Sequence, residues 1–277
     1  MVTVLSFPPA LDDSVAVAGP GGATAVALTG VVKEFGDRRV TVRALDGVSL
    51  DVRSGEFVCL VGASGCGKST LLNLVAGLDR PTSGGVAVSG RTSVMFQESA
   101  LFPWLTVRRN VELALQLDGV GRAERRARTM ELLALVNLEG FADRRPHELS
   151  GGMRQRVALA RSLARRCDVL LMDEPFGALD AMTRDLLHDE LERVWLDRRC
   201  TVLFVTHNVR EAVRLGDRVV VLTSRPGRIA DQFTVELPRP RRLDDPAVAG
   251  LAGEITTALR AEVARIGRAA DLERTRP

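Results

Sequence analysis

The segment Gly62-Ala63-Ser64-Gly65-Cys66-Gly67-Lys68-Ser69-Thr70 sets three glycines, a lysine and hydroxyls within nine residues. It matches G-x-x-x-x-G-K-[ST] in full. Glycines let successive backbone N–H groups turn inward around phosphate oxygens, and the N-terminus of a following helix adds partial positive charge. Lys68 would reach the β- and γ-phosphates of a nucleotide, and Ser69 would hold Mg²⁺. The bland alternative is a glycine-rich turn with a surface lysine. The apolar run before the segment and the helix-forming residues after it argue against that alternative.

Val169-Leu170-Leu171-Met172-Asp173-Glu174 is an apolar run that ends in two carboxylates. At the carboxyl end of a parallel strand, side chains face the ligand crevice. Asp173 can then share a Mg²⁺ with Ser69. Glu174 is expected to point elsewhere because strand side chains alternate, which places it to polarise an attacking water. General base catalysis of that kind is typically worth ~10²–10⁴ in rate. Alone, the pair reads as a polar strand end before Pro175; beside a phosphate loop it reads as hydrolysis of a phosphoanhydride. His207 follows another apolar run, Val202 to Val205, through Thr206. A lone histidine is more often structural, but this one stands at the same kind of strand end as Asp173, within reach of a γ-phosphate.

Ser150-Gly151-Gly152 precedes a helical stretch from Met153 to Ala164. Ser150 is an expected N-cap, and the free N–H groups behind it form a second anion site. Residue types alone leave open which phosphate that site meets. Cys66 also has two readings: a small filler, or a thiol made reactive by the adjacent helix N-terminus.

These groups need a scaffold. Phe57 to Val61 is a continuous apolar strand running into the phosphate loop, and Leu71, Leu72, Leu74 and Val75 continue as a helix that stops at Gly77 and Pro81. Such a unit belongs to a parallel sheet covered on both faces. Val40 to Val52 alternates, with Val40, Val42 and Ala44 on one face, as in antiparallel strands. Asn110 to Asn137 switches to helical periodicity, with Leu113, Leu117, Met130, Leu133 and Ala134 expected on inner faces. Leu187, Leu191, Val194 and Trp195 form another helical stripe, and Arg218 to Leu222 a further strand. Pro238 to Arg242 reads as a linker. Beyond it, Val248, Leu251, Ile255, Leu259, Val263 and Ile266 form a helical stripe expected to pack on its own domain.

Bulk properties narrow the class. With 277 residues and 45% hydrophobic content, the chain can bury a sizeable core. Net charge is +3, and 38 basic residues are scattered among 35 acids, so no nucleic-acid partner is expected. Cys59, Cys66, Cys167 and Cys200 form no Cys-x-x-Cys pair, which argues against a metal cluster and fits a reducing cytosol. No apolar run approaches the ~20 residues that span a membrane. The first 28 residues hold no Lys or Arg, unlike the start of a signal peptide. Residues 1–24 read as a mobile extension.

The phosphate loop followed by Leu149-Ser150-Gly151-Gly152-Met153-Arg154-Gln155-Arg156 resembles the paired motifs of the ATP-binding cassette (ABC) ATPases, the motors of ABC transporters. The resemblance runs from about Val26 to Ile229. It implies an α/β fold, a P-loop NTPase (RecA-like) core with an antiparallel β subdomain and an inserted α-helical subdomain. On that basis residues 25–237 form the ATPase domain, with the helical insertion at about 98–160, and residues 238–277 a linker and C-terminal helix. The ligands implied are ATP and Mg²⁺. Ser150, Gly151 and Gly152 would close over the γ-phosphate held by a second copy. Gln97 would contact Mg²⁺ and the attacking water, Asp180 in Ala178-Leu179-Asp180 would communicate across the dimer, and Phe35 would stack on adenine, unless it is simply a core residue at a strand end.

Further motifs refine the branch. Ser99 to Val107, Phe176 to Asp180 and Ser224 to Ile229 resemble importers of nitrate, taurine and aliphatic sulfonates. The resemblance implies an integral-membrane permease docked on residues 97–107, around Phe102-Pro103-Trp104, an extracytoplasmic solute-binding protein acting indirectly, and a place at the cytoplasmic face of the membrane. Asn208 and Cys167 depart from the pattern without removing a catalytic group. A soluble ABC-type ATPase with a regulatory or nucleic-acid-remodelling role is the alternative. A nucleotide-binding module without catalysis would lack Glu174 or His207.

Overall fold

The computed structural model describes residues 22–36 and 40–274, with side chains described through 262 and at 264. The expected N-terminal extension lies outside the described residues except at its last few positions, as do the side chains of Val263 and Ile266. In chain order the elements are β1 (Thr24–Gly36), β2 (Thr41–Arg53), β3 (Phe57–Gly62), α1 (Lys68–Val75), β4 (Ser83–Val88), β5 (Thr92–Met95), α2 (Val107–Leu117), α3 (Arg122–Leu135), α4 (Gly151–Ala164), β6 (Val169–Asp173), α5 (Ala181–Arg198), β7 (Thr201–Val205), α6 (Val209–Leu215), β8 (Arg218–Leu222), β9 (Ile229–Thr234) and α7 (Pro246–Arg274).

The apolar runs become the centre of a six-stranded sheet ordered β5-β6-β7-β3-β8-β9, parallel except for the antiparallel edge strand β9. Every residue of β3, β6 and β7 is buried. Their side chains alternate between two cores. Phe57, Cys59 and Val61 of β3 face the helical side, whereas Val58 and Leu60 face α1 and the smaller sheet. Register places Leu60, Val205 and Asp173 level with one another. The loops leaving β3, β6 and β7 therefore emerge side by side at one sheet edge, where α/β ligands bind.

The smaller sheet, ordered β2-β1-β4, is antiparallel. The expected inward face of Val40, Val42 and Ala44 is not formed. Only Ala44 is buried; Val40 is 67% and Val42 37% exposed. Register shifts between Leu28 and Glu34 of the paired strand break the simple alternation, and the inward set becomes Leu45, Val48, Leu50 and Val52.

α2, α3 and α4 pack together on one flank. The inner face of α2 is Val107, Val111, Ala114 and Leu115, so the expected Leu113 is only half-buried and Leu117 is exposed. On α3, Leu132 and Leu133 point inward and Ala134 outward. In α7, Val248, Ala252 and Ile255 are buried, and Leu251 and Leu259 pack beside them. The segment before it is fastened by its arginines. Arg241 is 3% exposed and donates to the carbonyls of Val213 (2.9 Å), Gly216 (2.5 Å), Val235 (3.0 Å) and Leu237 (2.9 Å). Burial lowers its guanidinium pKa to about 10. Arg239 pairs with Glu192 (2.6 Å) and Asp217 (2.9 Å) and covers the Trp195 ring at 4.5 Å.

Candidate nucleotide-binding and catalytic site

The phosphate loop leaves β3 and turns through Gly65 (φ +75°) and Gly67 (φ +97°), both in the left-handed region that favours glycine. Gly67 has a second constraint: a Cβ there would stand 2.7 Å from Leu45 Cδ2 and 3.0 Å from the Ala44 carbonyl. Gly67 is also the N-cap of α1 and offers no side-chain cap, so the first N–H groups of the helix stay available. Lys68 is buried and arches over its own loop, donating to the carbonyls of Gly62 (2.8 Å) and Ala63 (3.0 Å). No carboxylate among the described residues forms an ion pair with it, which leaves its charge for an anionic ligand. Cys66 is fully buried, and a Cβ on Gly62 would meet its sulfur at 2.7 Å. The thiol is thus the filler beneath the loop rather than an accessible nucleophile.

Asp173 ends β6 at 8% exposure, hydrogen-bonded to the Ser69 side chain. Burial pushes its carboxyl upward; the Ser69 hydrogen bond opposes this, Glu174 adds to it, and Lys68 lowers it. A hydroxyl beside a buried carboxylate that resists carrying unpaired charge is a hard-oxygen donor set, and it fits Mg²⁺.

Glu174 diverges from Asp173 for a different reason than strand pleating. It lies beyond the strand at φ +47°, a left-handed conformation uncommon outside glycine. Its N–H donates to the Val205 carbonyl at 2.9 Å. This turn aims the carboxylate at His207, whose Nδ1 lies 3.2 Å from Glu174 Oε2. The His207 side chain is 67% exposed and that of Glu174 22%, so both border solvent.

The other expected residues stand apart from this cluster. Ser150 caps α4, its Oγ accepting from the Met153 N–H at 3.2 Å. Gly151 is exposed. Gly152 sits against the segment before α5, where an added Cβ would be 3.3 Å from both the Ala178 carbonyl and Leu179 Cδ2. Asp180 caps α5 through the Thr183 N–H at 3.0 Å, and the hydrogen bonds from Thr183 hold its carboxyl low. Phe35 ends β1 at 45% exposure, with the Lys33 ammonium 4.8 Å from its ring centroid. Gln97 lies exposed just past β5, its carbonyl accepting from Gln155 Nε2 at 3.3 Å. The structure therefore unites Gly62–Thr70, Asp173, Glu174 and His207. Among the described residues, it joins Phe35, Gln97, Ser150–Gly152 and Asp180 to none of them by hydrogen bond or ion pair.

Beyond Gln97, Phe102 is 37% and Trp104 67% exposed, with ring centroids 5.5 Å apart. Fully buried Asn110 organises this loop. It accepts from the Phe102 N–H at 2.8 Å and donates to the carbonyls of Phe102 (3.2 Å) and Thr106 (3.0 Å). Sequence reasoning passed over Asn110, and also His188, Thr206 and Glu211, which lie behind His207. Their signal is the burial of polar side chains, which residue types alone do not show.

A family model for the ABC transporter matches residues 45–177. The nitrate import ATP-binding protein NrtD of Synechocystis sp. is 49% identical over 219 residues, covering 76% of this chain and 82% of that protein. The aliphatic sulfonates import ATP-binding protein SsuB 1 of Mesorhizobium japonicum is 49% identical over 240 residues, covering 84% and 88%. A dimeric ATP-binding cassette in a post-hydrolysis state, bound to ADP and Pi, superposes with a TM-score of 0.72 at 34% identity, covering 77% of this chain and 100% of that one.

Proposed function

The chain belongs to the ABC transporter family of ATP-binding proteins, and we propose that it is the ATP-hydrolysing motor subunit of an importer for a small oxyanion, nitrate or an aliphatic sulfonate. The observation that carries the hydrolytic reading is the Glu174–His207 contact at the sheet edge where the phosphate loop and Asp173 also end. The choice of cargo rests on the relatives' names.

In this reading Lys68 exchanges its two carbonyl partners for phosphate oxygens, and the uncapped first turn of α1 supplies N–H donors. Ser69 and Asp173 would hold Mg²⁺, which supplies neutralisation of phosphate charge. Glu174 takes a proton from the attacking water, and His207 keeps its carboxylate aimed while bordering the γ-phosphate position. Gln97, on the exposed strand exit, would help hold Mg²⁺ and orient the attacking water. Phe35 offers a ring face for adenine.

Ser150, Gly151 and Gly152 make no hydrogen bond to these groups among the described residues, and the family resemblance assigns them to the phosphates bound by a second copy of the chain, with Asp180 at the seam. The permease docks on the Phe102–Trp104 loop, an exposed apolar patch held in shape by a buried asparagine. No helix among the described residues is long and apolar enough to cross a membrane, so that partner supplies the pathway and holds this subunit at the cytoplasmic face. A solute-binding protein delivers cargo from the other side.

The test is deletion of the gene, followed by growth on alkanesulfonates as sole sulfur source and nitrate as sole nitrogen source. Growth is expected to fail on one class and to return with the wild-type gene but not with Glu174→Gln. Undiminished growth on both would overturn the cargo assignment, and rescue by Glu174→Gln would overturn the hydrolytic one.

A further inference from the structure

Behind His207 lies a buried polar chain that the hydrolytic reading does not use. Thr206, 2% exposed, donates its N–H to the Leu60 carbonyl at 3.2 Å and its hydroxyl to Glu211 Oε2, while accepting from the Asn208 N–H at 3.0 Å. Glu211, 3% exposed on α6, places Oε1 2.7 Å from Nε2 of His188 on α5. His188 is fully buried, and its Nδ1 lies 3.0 Å from Arg214 Nη1. Arg214 continues to Asp189, at the surface of α5.

The chemistry of these partners defines the proton positions. A guanidinium has donors only, so His188 Nδ1 must accept from Arg214. The ring proton is then on Nε2 and is donated to the Glu211 carboxylate. His188 also stacks edge-on against Phe176, ring centroids 4.9 Å apart at 79°. Phe176 is two residues past Glu174.

The contacts close a circuit. From Glu174 the chain runs through Pro175 to Phe176, whose ring meets His188. Hydrogen bonds then lead through Glu211 and Thr206 to the residue next to His207, and His207 returns to Glu174 at 3.2 Å. Every side chain on the buried half of this circuit is less than 5% exposed. Glu174 meanwhile holds an unfavourable backbone conformation, and the His207 side chain is largely exposed, so the geometry of the pair depends on the turns that carry it.

We propose that His188 is a positioning residue for hydrolysis: its two ring nitrogens, bridging Arg214 and Glu211, set the geometry of the Glu174–His207 pair. The inference rests on that pair being the hydrolytic one. Removing the ring nitrogens leaves Glu211 and Arg214 buried without their shared partner, which loosens the Glu211 carboxylate that holds the Thr206 hydroxyl at the start of the His207 turn. A glutamine can donate to Glu211 and accept from Arg214, and so preserves the bridge.

The test compares ATPase kinetics and the histidine NMR spectrum of His188→Leu, His188→Gln and His207→Ala in the full chain. Three histidines, His147, His188 and His207, make the ring resonances assignable by single substitutions. His188→Leu should lower kcat by ~10–10²-fold, with KM for ATP changed by less than about twofold, the pattern of a misplaced catalytic group rather than lost binding. The His207 ring resonance should move in His188→Leu and stay in place in His188→Gln, which should keep most of the wild-type rate. A folded His188→Leu protein with wild-type kcat would overturn the proposal, as would lost kcat with an unmoved His207 resonance. If His188→Leu does not fold, Thr206→Val, which removes the hydroxyl link, is read by the same two criteria. Full activity in His207→Ala would instead refute the underlying assignment of the hydrolytic pair.

Discussion

α1 and α4 both carry glycine at their starts, yet their first turns are built in opposite ways. α1 begins at Gly67, left-handed and without a side-chain cap, and its first residue, Lys68, is buried. α4 begins at Ser150, extended, with its hydroxyl satisfying the Met153 N–H, and its first residue, Gly151, is exposed. Around α1 stand the reactive groups of two neighbouring strand ends: Asp173, Glu174 and His207. Beside the start of α4 stand the turn leading to Asp180 and, at Gln155, the backbone of Gln97. One helix start has chemistry but is open on its outer face; the other can bind an anion but has no carboxylate–histidine pair beside it among the described residues. In the proposed reading a two-fold dimer would set the open face of each copy against the exposed glycines of the other and complete both.

Substitutions at the two helix starts should therefore fail differently. Glu174→Gln keeps the shape of the first site but cannot accept a proton, and kcat should fall by ~10²–10⁴-fold with ATP still bound; ATPase assay together with nucleotide binding checks both halves. Gly151→Asp puts a carboxylate where the second copy's phosphate would lie. An added Cβ there meets nothing nearer than Arg154 Nη2, at 3.9 Å, so the monomer should fold and bind ATP normally while turnover is lost. Lys68→Ala should do the reverse and weaken ATP binding by ~10–10²-fold, the range for a charge-assisted hydrogen bond. If Gly151→Asp weakened monomer binding as Lys68→Ala does, the division of labour between the helix starts would be wrong.

Asp173 gives a pH test of the first site. Its folded pKa is raised by burial, so the native state binds a proton more readily than the unfolded chain. Stability from this group is greatest at low pH and is lost as pH rises from the ordinary carboxylate value through the raised one. Asp173→Asn should therefore melt higher than wild type at neutral pH without ligand, and gain nothing from Mg·ATP where the wild type gains. Calorimetric melting with and without Mg·ATP measures both. The smallest effect belongs to the second site: Ser150→Ala removes a helix cap and should cost about 1 kcal/mol of stability, read by denaturant unfolding.

The two helix starts also differ in how far they could be read in advance. Gly62–Thr70, Asp173 and Glu174 announce themselves because each follows a fully apolar strand, and parallel strands deliver their carboxyl ends to one edge. Ser150 is legible as a cap, but a phosphate of a second copy as its partner comes from the family resemblance alone. Leu117 and Val42 were misread because α2 is oriented by its neighbours and β1 carries register shifts, neither of which is local. Glu174's direction depends on a left-handed residue that no residue type signals. Arg239 and Arg241 look like a basic linker, yet they fold back onto carbonyls and carboxylates up to 47 residues away. His188 sits on the same helix as the expected apolar stripe of α5, and only the folded chain brings it to Glu211 and Arg214.

The central claim is that nucleotide closes two copies over one another. Light scattering of Glu174→Gln measures it directly, with ATP, with ADP, and in combination with Gly151→Asp. ATP, but not ADP, should double the mass from the 30.0 kDa of one chain, and adding Gly151→Asp should abolish the change. A Glu174→Gln protein that stays at one chain's mass with saturating Mg·ATP, or that dimerises equally well with Gly151→Asp, would contradict it.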